Sequence, residues 1–135
     1  RSSDLKQDYK LRNKRFLQEI KKKEGILALA DGVMADIIKK GEGSISPSAH
    51  SIVTCKYKGS LITGEVFDSN WDNEYPEAFR VNELIEGFQI GIQAMHQGDI
   101  FRIYIPYMLG YGNKRNGNIP ACSTLIFEVE LIGVM

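Results

Sequence analysis

The sequence has no long apolar run and few residues that could form a metal cluster or a disulfide framework. No apolar segment approaches the roughly 20 residues that a membrane-spanning helix needs. The 135 residues include two cysteines and two histidines. Two cysteines are too few for a disulfide framework, and with His50 and His96 they show no metal-ligand spacing. We therefore predict no membrane span, no metal site and no bound cofactor.

The two cysteines lie in different sequence contexts. Cys55 belongs to an alternating apolar pattern, which indicates a small buried side chain. Cys122 follows Pro120 in a predicted loop. A bridge between them in an oxidising compartment remains the less favoured alternative.

The net charge is zero, but the charges are unevenly distributed. Residues 1–24 carry nine Lys/Arg and four Asp/Glu, a net of +5, and the rest of the chain carries eight and thirteen, a net of −5. This asymmetry indicates that the N-terminal segment is a separate element. Residues 21–23 are three lysines without interleaved aromatics. A solvated helix face therefore explains them better than nucleic-acid binding, and we predict no nucleic-acid partner.

Residues 4–23 contain neither Gly nor Pro and are typical of an α-helix, which Gly25 is expected to end. Four apolar residues fall on one helical stripe, at spacings of 4, 7 and 4: Leu5, Tyr9, Phe16 and Ile20. The stripe must be covered by the following domain, by a second copy of the chain or by another partner.

Beyond Val33 the apolar period changes to two, which is typical of half-buried antiparallel strands. The alternation covers residues 33–38, 53–57, 101–105 and 125–131, and it is weaker at 62–67 and around residue 79. A short helix is predicted from about residue 83 to 93, where Gly87 and Gly91 would allow a close approach to the sheet. These elements predict an α+β fold, with a curved antiparallel sheet of about five strands wrapped on a short helix and preceded by the N-terminal helix.

Aromatic and apolar residues recur along the predicted strands and loops between residues 57 and 127. Taken without their order, the phenylalanines among them are more typical of a core. Gathered in space, the whole set would line a pocket with very few charges, which suits an apolar ring such as a prolyl residue. The set comprises Tyr57, Phe67, Phe79, Leu84, Ile85, Phe88, Tyr111, Ile119 and Phe127.

Five segments resemble one known family in order and spacing. They are VTCKYKGSL (53–61), GEVFDSN (64–70), LIEGFQIGIQAM (84–95), GYG (110–112) and IPACSTLIFEVELIGV (119–134). This region resembles the FKBP-type peptidyl-prolyl cis-trans isomerases. The N-terminal helix is similar to the extensions of bacterial cell-envelope members of the macrophage-infectivity-potentiator type, which often mediate dimerisation. The resemblance implies a helical extension at 1–25 and an isomerase domain at 26–135.

The resemblance also implies a role for each residue of the set. Catalytic positions would be Tyr57, Asp68, Phe88, Tyr111 and Phe127. Substrate-binding positions would be Phe67, Phe79, Leu84, Ile85 and Ile119. Phe88 would be the floor of an aromatic pocket, and Asp68 the polar group beside the bound imide. The Ile85 backbone N–H and the Tyr111 hydroxyl would donate hydrogen bonds to the ligand.

The chain departs from the family pattern at a few positions. The family usually has Trp where Phe88 stands, and Ala where Gly110 stands. The resemblance implies a prolyl isomerase that assists folding, with proline-containing polypeptides as clients and macrolides as further ligands. A weakly catalytic or non-catalytic chaperone of the same fold is the alternative.

The resemblance implies a cellular location and an assembly as well. We expect a bacterial envelope or periplasmic protein, with the cytoplasm as the alternative, and a homodimer formed through the N-terminal helix. The chain begins with Arg1 rather than Met. We interpret it as a processed or trimmed form, in which a signal or lipid anchor has been removed from view.

Overall fold

The computed structural model describes residues 2–135, with side chains from residue 4 onwards. Two helices and seven strands follow one another along the chain. They are α1 (Ser2–Lys21), β1 (Leu27–Ala28), β2 (Met34–Lys39), β3 (Ile52–Ser60), β4 (Val66–Ser69), β5 (Glu77–Arg80), α2 (Glu86–Gln93), β6 (Ile100–Ile105) and β7 (Leu125–Val134). Three 3-10 turns connect them, at Ala30–Gly32, Val81–Glu83 and Tyr107–Leu109.

All seven strands belong to one antiparallel sheet. Its order is β1-β2-β6-β7-β3-β4, and β5 pairs with β3 as well. On the edge of β3 away from β7, β5 pairs with residues 52–55 and β4 with residues 58–60. Register shifts interrupt the ladders between Thr54 and Cys55 and between Gly59 and Ser60. Such irregularities bend a strand, and here they curve β3 around the short helix.

The short helix α2 packs closely against β6 through two glycines. A Cβ at Gly87 would collide with the side chain of Ile105, and one at Gly91 would come within 2.5 Å of Ile103. Real Cβ atoms do not approach that closely, so only glycine permits this contact. The close approach of α2 to the sheet that the sequence predicted is therefore confirmed.

The N-terminal helix α1 covers the other face of the sheet. Ile103 and Ile105 of β6 point into the core with α2, whereas Tyr104 between them packs its ring 6.1 Å from that of Phe16. Neighbouring residues of a strand point to opposite faces, so Phe16 marks the face opposite the core. Lys23, just beyond α1, donates a 2.6 Å hydrogen bond to Asp36 on β2. The following domain is thus what the apolar stripe covers in this structure.

Both helices begin or end slightly away from their predicted limits. The predicted helix at 4–23 is α1 at Ser2–Lys21, and the predicted helix at 83–93 begins only at Glu86. Leu5 was predicted on the covered stripe, but its side chain is 69% exposed. Asn13 was not predicted on the covered stripe, but it is only 1% exposed.

The strand predicted at 33–38 does not alternate between buried and exposed residues. Residues 33–36 are all buried, and Ile37 and Ile38 are both exposed. The reason is that α1 covers the second face of this strand, so neither face is open to solvent over its first half. The two-residue strand β1 was not predicted.

Cys55 and Cys122 are both free, so the alternative of a bridge between them is wrong. No helix within residues 2–135 combines the length and apolar character needed to cross a membrane. Among the residues from 4 onwards, no three His, Cys, Asp or Glu side chains are grouped so that they could hold a metal ion.

Candidate active site

A cleft of about 200 Å³ lies between α2 and the curved sheet. Its walls come from β3, β4, β5, β7, the start of α2 and the segment after the turn at Tyr107–Leu109. The lining residues are Tyr57, Asp68, Phe79, Glu83, Leu84, Ile85, Phe88, Tyr111 and Phe127. Eight of these nine were predicted as site residues, and they come from six separate segments of the chain.

Phe127 is the centre of the aromatic arrangement. Its ring centroid lies 5.0 Å from that of Phe88, 5.5 Å from that of Phe67 and 6.4 Å from that of Tyr57. The contacts with Phe88 and Phe67 are edge-to-face, at interplanar angles of 76° and 89°. Edge-to-face pairs are a favoured geometry of aromatic rings, so each ring fixes the orientation of its neighbour. The result is a rigid apolar wall rather than a set of mobile side chains.

The absence of a side chain at Gly59 allows this ring cluster to form. Gly59 is opposite Phe127 on β7 and opposite Asp68 on β4. A Cβ there would come within 2.6 Å of Phe67 and 2.7 Å of Phe127. The glycine therefore leaves the space into which the two rings fold.

The polar groups of the cleft are few and close to one another. The Tyr57 hydroxyl donates a 2.9 Å hydrogen bond to Asp68 Oδ2. Partial burial, with this bond to the Asp68 carboxylate, raises the pKa of Tyr57 well above its usual value. Burial beside the Asp68 charge also raises the pKa of Tyr111. Both phenols are therefore neutral hydrogen-bond donors at physiological pH.

Two donors in the cleft have no acceptor among the residues that the structure describes. One is the Tyr111 hydroxyl and the other is the backbone N–H of Ile85, the residue that precedes α2. The side chain of Gln89 donates to the carbonyl of Leu84 at 2.6 Å, and this bond holds the start of α2 in place. The two free donors are therefore available to the carbonyl oxygens of a bound chain.

A buried asparagine that was not predicted fixes the position of Tyr57. Asn70 is 1% exposed, and its Oδ1 accepts a 2.7 Å hydrogen bond from the Tyr57 backbone N–H. Its Nδ2 donates to the carbonyl of Cys55, and its own N–H donates to the carbonyl of Tyr57. Because Asn70 follows Ser69 in a sequence typical of a turn, nothing in the sequence distinguishes it from a solvated residue.

The sequence profile of the FKBP-type peptidyl-prolyl cis-trans isomerases matches residues 43–132. This chain belongs to that family. The isomerase FkpA of Aeromonas hydrophila is 37% identical over 119 residues, which are 88% of this chain and 44% of that protein. The isomerase Mip of Coxiella burnetii is 37% identical over 124 residues, which are 91% and 54% of the two chains. The chain thus spans about half the length of these relatives.

Solved structures of FKBP-type proteins have the same fold. A peptidyl-prolyl cis-trans isomerase from Pseudomonas syringae superposes with a TM-score of 0.87 at 32% identity, over 95% of this chain and 94% of that one. FkpA from Escherichia coli superposes with a TM-score of 0.89 at 30% identity, over 98% and 62% of the two chains. The FKBP-like α+β fold and the family resemblance predicted from the sequence are both confirmed.

Two of the ten predicted site residues do not line the FKBP cleft. Phe67 lies behind Phe127 and supports it edge-on. Ile119 is 6% exposed and belongs to the hydrophobic core. Conversely, Glu83 lines the cleft with an exposed side chain, although it was not predicted as a site residue.

The contacts of Phe88 and Gly110 explain how the fold accommodates these two departures from the FKBP pattern. Phe88 is 5% exposed and packs on Phe127, so the floor of the cleft remains aromatic without Trp. A Cβ at Gly110 would come within 2.8 Å of Leu125 Cδ1. The glycine therefore lets the segment that carries Tyr111 lie closer to β7 than alanine would.

Proposed function

We propose that this chain catalyses cis-trans isomerisation of the peptide bond that precedes proline in polypeptide clients, through residues 26–135. The observation that carries the proposal is the aromatic cleft, in which rings from three strands and α2 surround two hydrogen-bond donors that have no partner among the described residues. The cavity of about 200 Å³ is suited to a side chain of prolyl size rather than to a large cofactor.

The chemistry needs neither a nucleophile nor a proton transfer. Rotation about a peptide bond has a barrier of about 18–20 kcal/mol, because twisting breaks the resonance that keeps the amide planar. Loss of that resonance makes the twisted amide less polar than the planar form. An apolar cleft therefore stabilises the twisted amide relative to the planar one, which is catalysis by differential binding.

The polar groups would hold the substrate while its bond rotates. The Ile85 N–H and the Tyr111 hydroxyl would each donate to a substrate carbonyl oxygen, and Phe88 and Phe127 would contact the prolyl ring. Asp68, held by Tyr57, would lie beside the imide. These roles follow the family pattern at matching positions.

Isomerisation of a short Leu-Pro peptide, followed by exchange NMR, tests the proposal. We expect clear acceleration by the wild-type chain and a loss of several-fold in Tyr111→Phe, which removes one donor. Tyr75→Phe is the matched control, because Tyr75 is 74% exposed and does not line the cleft. No acceleration by a folded wild-type chain would refute the isomerase.

A chaperone of little or no catalytic activity is the second candidate. The replacement of the usual Trp by Phe88 at the floor of the cleft supports it. Phe88 stands where the family usually has Trp, so the prolyl ring would meet a smaller surface. If the chain is such a chaperone, the wild type and the Asp68→Asn variant should suppress aggregation of an unfolded client equally well. Isomerisation that increases in Phe88→Trp would favour a weak catalyst over an inactive one.

We further infer a location in the bacterial envelope, a homodimer formed through α1 and binding of macrolides in the cleft. The resemblance of the N-terminal helix to the extensions of macrophage-infectivity-potentiator-type members motivates the first two inferences. Cell fractionation tests the location, and light scattering of the whole chain tests the dimer. Competition between a macrolide and the Leu-Pro peptide tests the third.

A further inference from the structure

A second concave surface lies beside α1, on the far side of the segment that carries Tyr111. It consists of two adjoining cavities of about 550 and 440 Å³, both of which are lined by Gln7 and Lys10. We call it the helix groove. One wall is α1 from Leu5 to Leu17, and the other is formed by residues 106–107 and 120–122 together with Asn113, Arg115 and Thr124. Its size is typical of ligand sites.

The helix groove is lined by basic side chains and by no carboxylate. Lys6, Lys10 and Lys14 recur every four residues, so they form one row along α1. Arg115 lies on the opposite wall. None of these four has an ion-pair partner among the described residues, and no Asp or Glu lines either cavity.

Two acidic residues of α1, Asp8 and Glu19, are each paired with a neighbouring basic residue. Asp8 pairs with Arg12 at 3.3 Å, and Glu19 pairs with Lys22 at 3.3 Å. At 3.6 residues per turn, Asp8, Arg12 and Glu19 fall on the side of α1 away from Lys10. The positive row therefore faces the helix groove, whereas the acids of these two pairs face away from it.

The floor of the helix groove is apolar. Leu17, Tyr107 and Pro120 contribute to its lining, and the ammonium of Lys10 lies 5.7 Å from the centre of the Tyr107 ring. An apolar floor between positive edges matches a ligand that has apolar side chains and negative charges. A concave surface of this kind does not match a flat bilayer.

The helix groove and the cleft are separated by a single stretch of chain. Tyr107 lines the groove, and Tyr111, four positions later, lines the cleft. The N–H groups of Gly110 and Gly112 both donate to the carbonyl of Tyr107, which makes this stretch a compact turn. A polypeptide that leaves the cleft therefore reaches the groove by crossing one tight turn.

We propose that the helix groove binds an acidic, apolar segment of the same client polypeptide whose X–Pro bond occupies the cleft. This inference rests on the proposed function of the cleft. Charge complementarity would raise the affinity for clients with such a segment, and binding at both sites would be coupled through the intervening chain. The groove would thus select among proline-containing clients, which the prolyl pocket alone does not distinguish.

Three labelled peptides test the proposal by fluorescence anisotropy and exchange NMR. The first contains Leu-Pro and no charge, the second is rich in Glu and Leu without proline, and the third joins the two through linkers of increasing length. The variant Lys6→Glu/Lys14→Glu reverses the groove charge. Lys39→Glu/Lys40→Glu makes the same charge change at exposed positions outside the groove and is the control.

We expect the acidic peptide to bind the wild type and the control alike, and to bind the groove variant about tenfold more weakly. Its binding should weaken as salt is added. The joined peptide should have a lower KM than the neutral one with wild type and control, and this difference should disappear in the groove variant.

Equal binding of the acidic peptide to both double variants would overturn the proposal. Binding of phosphatidylserine vesicles without binding of the acidic peptide would overturn it as well, and would identify a membrane surface instead. If no peptide is isomerised, the proposed function fails, and the binding of the acidic peptide still decides the groove inference. Circular dichroism of each variant confirms that it is folded.

Discussion

Gly59 shows how a single missing side chain determines the shape of the cleft. Replacement by alanine would place a methyl group within 2.7 Å of both Phe67 and Phe127, so at least one ring must move. We expect Gly59→Ala to lower the free energy of unfolding by about 1–3 kcal/mol, as overpacking does. We also expect weaker binding of a proline peptide, because Phe127 is a wall of the cleft. Urea denaturation and peptide titration measure the two effects.

Gly133→Ala is the matched control for this variant. Gly133 lies in the same pair of strands, opposite Thr54, and an added Cβ would make an ordinary 3.7 Å contact there. Its effect should stay within about 0.5 kcal/mol. Equal stability losses in the two variants would contradict the account of Gly59, since they would indicate a general cost of replacing glycine in this sheet.

Glu83 gives the rim of the cleft a negative charge in addition to that of Asp68. Its side chain is 74% exposed and lies 4.0 Å from Arg80, so this pairing is weak and the charge remains available. We expect Glu83→Gln to lower kcat/KM for a Lys-Pro peptide about twofold to threefold and to leave a Leu-Pro peptide unchanged. Glu24→Gln, at an exposed position outside the cleft, is the control. An equal loss for both peptides would assign Glu83 a structural role.

At the scale of elements, the N-terminal helix is held by polar contacts as much as by apolar ones. Tyr9 and Ser123 share a 2.8 Å hydrogen bond, and Asn13 accepts one of 2.8 Å from the backbone N–H of Thr124. The Asn13 amide also donates to the carbonyl of Tyr9. These bonds join α1 to the start of β7, the strand that carries Phe127.

Asn13→Ala would leave the buried N–H of Thr124 without an acceptor. The loss of a partner for a buried donor costs about 1–3 kcal/mol, so we expect a decrease of that size in the free energy of unfolding. Amide hydrogen exchange should show faster exchange at Thr124 and in α1. Gln18→Ala, at an exposed position of the same helix, should change neither quantity. Unchanged protection of Thr124 would contradict this account of how α1 is held.

The sequence was sufficient for those elements whose pattern is set by apolar residues alone. The strands at 53–57, 101–105 and 125–131 were predicted because one face of each packs on the core. The covered face of α1 was predicted only in part, because it includes the buried polar Asn13 and because the side chain of Leu5 is exposed. An apolar pattern contains no information about a buried side-chain amide whose hydrogen-bond partner is a backbone group far away in the sequence.

The same distinction explains which parts of the cleft were predicted. The rings and the residues at the start of α2 were identified through the order of the family's motifs. Asn70 and Glu83 were missed because a polar residue in a turn looks the same in sequence whether it is solvated or faces a site. Phe67 and Ile119 were placed in the cleft wall, but their side chains support it from behind or belong to the core.

At the scale of the whole molecule, the two oppositely charged parts of the chain contact each other. The segment 1–24 has a net charge of +5 and the remainder a net of −5. One direct contact between them is that of Lys23 Nζ with Asp36 Oδ2, and Asp36 also accepts a 3.1 Å hydrogen bond from Tyr104. The bond to Asp36 raises the pKa of Lys23, and burial raises that of Tyr104. The protonated forms of both groups therefore belong to the folded arrangement.

Alkaline pH should destabilise the fold through a set of groups whose pKa values are raised. Burial raises the pKa of the Cys55 thiol from about 9 to about 12, and the pKa values of Tyr57, Tyr104 and Tyr111 are raised as well. For Cys55, the unfolded chain loses its proton above about pH 9, whereas the folded chain keeps it up to about pH 12. For the three tyrosines the direction is the same, because the folded chain holds the phenol proton to a higher pH than the unfolded chain does. In this pH range the chain must take up protons in order to fold, which becomes less favourable as pH rises. The free energy of unfolding therefore decreases as pH rises through this range.

Urea denaturation at intervals from pH 7.5 to 11, with a reductant that keeps both thiols free, measures this dependence. From these groups we expect little change below pH 9 and a decrease above it, of at most about 1.4 kcal/mol per pH unit for each group. Cys55→Ala should lower the stability at every pH, because it removes a core side chain, but it should make the slope between pH 9 and 10 shallower. Cys122→Ala is the control, because it removes the other thiol, which is only partly buried and lies outside the core. A free energy of unfolding that stays constant or rises from pH 8 to 11 would mean that these groups release their protons as easily in the fold as in the unfolded chain, and that the burial of Cys55 and the tyrosines does not govern the alkaline limit of stability.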